Sequence, residues 1–158
     1  MRGKTNRKKR IINPDEKYNS VTVSRFINYV MRNGKKTTAQ KIVYGAIDIA
    51  VKELKYTKPE NLIDDAVSKV APLVEVQSKR IGGANYQVPI EVKEPRRTAL
   101  GMRWILDSAR SMKGKPMAEK LAKEIVETLK GSSASLKKRE DVHRMAEANR
   151  AFAHFARF

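Results

Sequence analysis

The chain has 158 residues and sets 34 Lys and Arg against 17 Asp and Glu, a formal net charge of +17. Its hydrophobic share of 41% excludes a disordered tail protein, and the absence of cysteine excludes disulfides, thiolate nucleophiles and cysteine-based zinc sites. Self-repulsion on this scale opposes a compact state unless a polyanion answers it, so the charge points to nucleic acid, with structured RNA favoured.

Residues 1–18 hold Arg2, Lys4, Arg7, Lys8, Lys9 and Arg10, with no acid before Asp15 and no helical or strand period. They read as a flexible basic arm, and a solubilising tail is the plainer alternative. No long apolar stretch follows, so the start does not read as a signal peptide. No apolar run approaches the roughly 20 residues of a membrane span. A cytoplasmic setting without a membrane partner is expected.

A single helical domain is expected over 19–150. Its first helix, at 20–32, places Val23, Phe26, Ile27, Val30 and Met31 on one face, and Asn33-Gly34 ends it. A second, at 36–54, buries Ala39, Val43, Ala46, Ile47, Ala50 and Leu54. Thr57 and Glu60 have the spacing of a capping box for a third helix at 58–70, which Pro72 stops.

The period then changes to 2. Val74, Val76 and Ser78 alternate with Glu75, Gln77 and Lys79, and after Gly82-Gly83 the run Tyr86, Val88, Ile90, Val92 alternates with polar residues and Pro89. This predicts a hairpin at about 73–92, its base on the helices and its Lys79-Arg80 tip projecting. Three more helices follow, at 96–112, 116–130 and 134–150, before an apolar, aromatic tail at 151–158. The fold class is mainly α, a six-helix domain with a protruding two-stranded β-ribbon.

Cations stand where helices begin: Lys35-Lys36, Arg96-Arg97, Lys115 and Lys137-Lys138. The macrodipole makes that end positive, so each exposed cation there costs about 0.3–1 kcal/mol. A docked phosphate reverses the sign, because free amides and side chains then converge on one anion. At the ribbon tip, Lys79 and Arg80 could brace a backbone, and Gln77, Asn85 and Gln87 form a polar face able to meet base edges. Trp104, Tyr44 and Tyr86 read as packing residues, with Arg103 on a neighbouring face as the RNA candidate. Lys137–Asp141 and Glu140–Arg144 have i,i+4 spacing.

Catalysis finds no support. His143 and His154 are the only histidines and lack cysteine partners. Gly34-Lys35-Lys36-Thr37 lacks the upstream glycine and strand of a nucleotide-binding loop. No cofactor, metal or enzymatic activity is expected.

Several stretches together resemble one family. They are Asn33-Gly34-Lys35-Lys36-Thr37, Ile42-Val43-Tyr44, Arg80-Ile81-Gly82-Gly83-Ala84-Asn85-Tyr86-Gln87-Val88-Pro89, Arg96-Arg97, Arg103-Trp104, and the run from Lys137 through His143 and Arg144 to Asn149. In order and over nearly the whole chain, they resemble the small-subunit ribosomal protein seven family in its bacterial form. The ending Phe155-Ala156-Arg157-Phe158 departs from the shorter Tyr-Arg-Trp ending of that pattern.

The resemblance implies primary binding to the 3′ major domain of small-subunit rRNA, at a multi-helix junction, where the protein nucleates assembly of the head. It implies a ribbon near the exit-site tRNA and the mRNA path, and contact with small-subunit protein eleven and other head proteins. Carried onto this chain, the RNA-facing positions are the basic arm, Lys35, Lys36, Arg80, Arg96, Arg97, Arg103, Lys137 and Arg144. The rival readings are a DNA-architectural protein, for which Ile81 is the one candidate wedge, and a basic RNA-processing enzyme, which lacks a metal-binding carboxylate cluster.

Overall fold

The computed structural model describes residues 11–157, so Arg2, Lys4, Arg7, Lys8, Lys9 and Arg10 lie outside the described residues. Six helices and one hairpin follow in chain order: α1 Val21–Val30, α2 Lys36–Leu54, α3 Leu62–Val70, β1 Val74–Ile81, β2 Ala84–Glu91, α4 Arg96–Ser111, α5 Met117–Lys130 and α6 Ala134–Ala148. A 3-10 segment, Arg150–Arg157, ends the described chain. Among the described residues no helix is long and apolar enough to cross a membrane.

The 3.6-residue stripes read from the sequence are the buried faces. Phe26 and Ile27 of α1, Val43 and Ile47 of α2, Leu62 and Ile63 of α3, Ile105 of α4, and Leu121 and Ile125 of α5 are each at most 1% exposed. Helix α5 is central, packing against α2, α3, α4 and α6. Trp104 lies in the same core. Fully burying side chains of this size contributes about 1.5–3 kcal/mol each.

Folded structure starts before α1. Asp15 is buried. Its Oδ1 accepts from the Tyr44 hydroxyl at 2.8 Å, and its Oδ2 from the amides of Lys17 and Tyr18 at 3.2 and 3.3 Å. Tyr18 meets Tyr44 edge-on, centroids 5.7 Å apart. Burial, with Asp15 as acceptor, pushes the Tyr44 hydroxyl up to about 12. The segment expected to be flexible through residue 18 is therefore tied to α2 from Asp15 onward.

The capping box at Thr57 and Glu60 does not form. Pro59–Asn61 makes a 3-10 turn instead, with the Asn61 amide on the Lys58 carbonyl at 3.0 Å and no side-chain cap at Lys58 or Asn61. Pro59 has no N–H to be capped, and the tighter turn moves the first α-helical residue to Leu62.

The hairpin is antiparallel and closes on Gly82 and Gly83, whose φ values of 56° and 90° are open to glycine at no steric cost. A two-residue loop pairs Ile81 with Ala84, and so every even residue of β1 with an odd residue of β2. Val74 and Val76 therefore share a face with Asn85 and Gln87, while Gln77 shares the opposite face with Val88. The single polar face expected from Gln77, Asn85 and Gln87 is split in two.

The ribbon is fastened at its base and along β2. Glu75 takes a bidentate pair from Arg96 at the start of α4, 2.8–3.0 Å. The Leu73 amide donates to His143 Nε2 of α6 at 3.2 Å. Phe152 and Phe155 pack on Tyr86 at centroid distances of 5.3 and 5.2 Å. Lys79 Nζ donates to the carbonyls of Phe155 and Ala156 at 3.1 and 3.2 Å, so it is turned to the tail rather than projecting with the tip.

Two outcomes test these contacts. A Cβ on Gly101 would stand 3.0 Å from the Val67 carbonyl oxygen and 3.2 Å from Val67 Cγ1. Gly101→Val should lower the unfolding free energy by about 2–3 kcal/mol, read by urea denaturation. His143 is held below its usual range by burial, then by the Arg139 charge. The unfolded state therefore binds the extra proton as pH falls through about 6.5, and native stability falls with it. The wild type should lose stability between about pH 7.5 and 5.5 that a His143→Gln variant retains, by thermal melts at both values.

Candidate nucleic-acid interface

Helices α1 and α4 lie side by side, and Arg25 of α1, Arg32 just after it and the arginines of α4 collect along the seam. At one end a groove of about 470 Å³ is lined by Arg25, Arg96 and Arg103, with Asn28 and Tyr29. At the other a groove of about 390 Å³ is lined by Arg32, Lys35 and Arg110. Neither groove has a carboxylate in its lining. On α4 the three arginines are spaced by seven residues, two turns each, so they span about 21 Å on one face. Arg25 and Arg32 are also seven apart.

The like charges bear on one another. Burial, and next the Arg32 charge, hold the Arg110 guanidinium below its ordinary value, partly offset by Asp107. Arg103 stands over the Tyr29 ring, 5.7 Å from its centroid. Arg96 is partly engaged by Glu75, whose carboxyl is held below its usual range chiefly by that hydrogen bond. Arg97 is half-buried beside it, and its Nε is buried with no hydrogen-bond partner.

The four helix starts are not equivalent. Lys35 precedes α2 with no side-chain cap, and Lys35 and Lys36 are both exposed. The start of α4 is partly occupied, because Glu94 accepts from the Thr98 amide at 3.3 Å. Lys115, before α5, shares a concavity with Glu53, Glu119 and Glu127. The start of α6 is closed: Ser133 Oγ accepts from the Leu136 amide at 3.2 Å and the fully buried Glu124 from the Ser135 amide at 3.0 Å.

Along α6 the charges are mixed. Lys137 and Arg144 line a concavity with Glu127, Glu140 and Asp141. Arg144 pairs with Asp141, and the expected Lys137–Asp141 and Glu140–Arg144 pairs are not made among the described residues. Lys138 stands 5.6 Å from the centroid of the Trp104 ring. At the ribbon tip Arg80 is exposed, while Lys79 is half-buried against the tail.

The structure thus brings Lys35, Arg96 and Arg103 onto the seam and puts Lys115, Lys137 and Arg144 among carboxylates. It adds Arg25, Arg32 and Arg110, which sequence reading passed over because none neighbours another cation in the chain. Their seven-residue spacing is the signal that finds them. No group of three or more His, Cys, Asp or Glu able to hold a metal occurs among the described residues.

The family model described as Ribosomal protein S7p/S5e matches residues 1–150. The chain is 56% identical over 146 residues to the small ribosomal subunit protein uS7 of Fervidobacterium nodosum, covering 92% of this chain and 94% of that one. It is 56% identical over 147 residues to the protein of the same name from Thermotoga neapolitana, with 93% and 94% covered. For that of Chloroflexus aurantiacus the figures are 52% over 152 residues, with 96% of each covered.

The two kinds of helix start can be told apart by stability. Glu124→Ala exposes no solvent route to the Ser135 amide and should cost about 2 kcal/mol in urea denaturation. Glu60→Ala, at the unused capping box, should stay within about 0.5 kcal/mol of wild type. The reverse order would restore the box and remove the assigned role of Glu124.

Proposed function

The chain belongs to the ribosomal protein S7p/S5e family, and we propose that it binds the 3′ major domain of small-subunit rRNA and nucleates assembly of the head. Proteins of this family are structural constituents of the small ribosomal subunit rather than enzymes, and the setting is the cytoplasmic ribosome.

The observation that carries the rRNA reading is the arginine seam. Two grooves rimmed by Arg25, Arg96 and Arg103 at one end and Arg32, Lys35 and Arg110 at the other contain no carboxylate. Arg25 on α1 and Arg96, Arg103 and Arg110 on α4 stand on packed helices, with Arg32 and Lys35 on the connection between α1 and α2, and this fixed backbone spacing suits an anion lattice that is itself rigid. RNA duplexes are recognised mainly through backbone and shape, because their major groove is deep and narrow. The basic arm, the uncapped start of α2 and the seam neutralise phosphates, and the helical body sets the angles between the RNA helices that carry them. Arg2, Lys4, Arg7, Lys8, Lys9 and Arg10 extend this contact from the chain start, and Lys36, Arg97, Lys137, Lys138 and Arg144 supply further cations.

The exposed Arg80 at the ribbon tip supports a place for the ribbon near the exit-site tRNA and the mRNA path. Small-subunit protein eleven is the neighbour we assign on the head–platform side. A DNA-architectural role is disfavoured by the tip itself: Ile81 is half-buried opposite Ala84, leaving no exposed apolar wedge to unstack a base step.

Binding of the full chain to a fragment of the 3′ major rRNA domain, across a salt series and against duplex DNA of equal length, tests the reading. With about eight phosphates neutralised, log K should fall against log salt with a slope of roughly −6 to −7. Arg103→Glu or Arg110→Glu should each make that slope shallower by about 1 or more. A wild-type slope shallower than about −3, or equal affinity for DNA, would sink the proposal.

A further inference from the structure

We infer that the Arg25 end of the α1/α4 seam receives one unpaired RNA base, so that the protein reads an extruded nucleotide as well as backbone shape. The inference rests on the RNA-binding reading and adds a specific site to it. The groove of about 470 Å³ has a floor that phosphates do not need: Ala99, Leu100 and Met102 line it, and its exposed lining is more apolar than polar. A cationic track for backbone alone gains nothing from apolar depth. A flat, apolar-faced ring with polar edges does.

The polar groups stand where such a ring needs them. Asn28 is exposed on α1 and its side chain makes no hydrogen bond among the described residues, so its carboxamide can meet a base edge with a donor and an acceptor together. Tyr29, one residue on, carries the Arg103 guanidinium over its ring. Aromatic rings and guanidinium planes are the two surfaces on which unstacked RNA bases pack. Arg25 and Arg96 at the rim supply charge for the phosphates on either side of the inserted nucleotide. The second groove, with Arg32, Lys35 and Arg110, is also more apolar than polar, but its lining has neither an aromatic ring nor a carboxamide, so Tyr29 and Asn28 single out the first.

Three RNAs test this with the full-length protein: a three-helix junction carrying one unpaired adenosine, the same junction with an abasic ribose there, and the same junction fully paired. The wild type should bind the adenosine form about tenfold more tightly than the other two, the scale of one stacked base. Asn28→Ala, which removes no packing, should reduce that preference to about twofold or less. Tyr29→Leu should do the same. Arg25→Ala should weaken all three RNAs alike. Equal affinity for the adenosine and abasic forms, with steep salt dependence retained, overturns the base site and leaves the rRNA reading standing. Failure to bind any of the three overturns both. With 5-bromouridine at the unpaired position, photocrosslinks should map to Tyr29, and crosslinks confined to the ribbon would overturn the inference.

Discussion

Two rows of arginine meet along the α1/α4 seam because the apolar faces beneath them have to meet. Phe26 and Ile27 on one side and Met102 and Ile105 on the other are all at most 1% exposed. Burial of each such side chain contributes about 1.5–3 kcal/mol. Two exposed like charges repel by about 1 kcal/mol at 4 Å in water, and salt screens them beyond about 8 Å. Packing therefore wins by a wide margin, and the helices hold cations closer than charge alone would place them. Arg110 is held below its ordinary value first by its own burial and then by the Arg32 charge. The rest of the surface depends on that packing, since a bound polyanion relieves repulsion that the core has already overcome.

Charge is partitioned around this body. The two seam grooves are lined by cations without carboxylates, with Glu75 beside Arg96 and Asp107 beside Arg110 outside those linings, whereas the concavities of α5 and α6 interleave Lys115, Lys137 and Arg144 with Glu and Asp. A cation opposed by nearby carboxylates presents little net field, so high total charge does not make every face sticky. Arg96 joins the two regimes. It lines the seam, and its pair with Glu75 couples the base of the ribbon to the start of α4. An anion competing for Arg96 therefore acts on the ribbon's attachment as well as on the helix.

Most of the architecture was legible in the sequence because α1 to α5 each owe their place to an apolar stripe, and stripes are local, whereas α6 buries only Ser135, Leu136 and Ala146. The misreadings came where pattern alone does not fix geometry. Alternation along β1 and β2 was read correctly, but which residues share a face follows from the parity of the two-residue loop at Gly82-Gly83. Thr57 and Glu60 had the spacing of a cap, yet Pro59 and a 3-10 turn moved the helix start past them. Clusters such as Lys35-Lys36 drew attention because they are adjacent in the chain. Arg25, Arg32 and Arg110 are adjacent only in space, through helix packing that brings three segments to one seam. The buried Glu124 likewise shows its partner, the Ser135 amide, only once α5 and α6 are packed.

The tail's seat on the ribbon has a temporal side. Lys79 meets carbonyls 76 and 77 residues further along the chain, and Tyr86 meets Phe152 and Phe155. During synthesis the hairpin emerges well before these partners do. It must wait, held by its own cross-strand bonds and its base, while α4, α5 and α6 are made. An isolated two-stranded hairpin is marginally stable in water. The ribbon is thus among the earlier elements to be synthesised and among the last to be secured, and its final shape is a property of the finished chain.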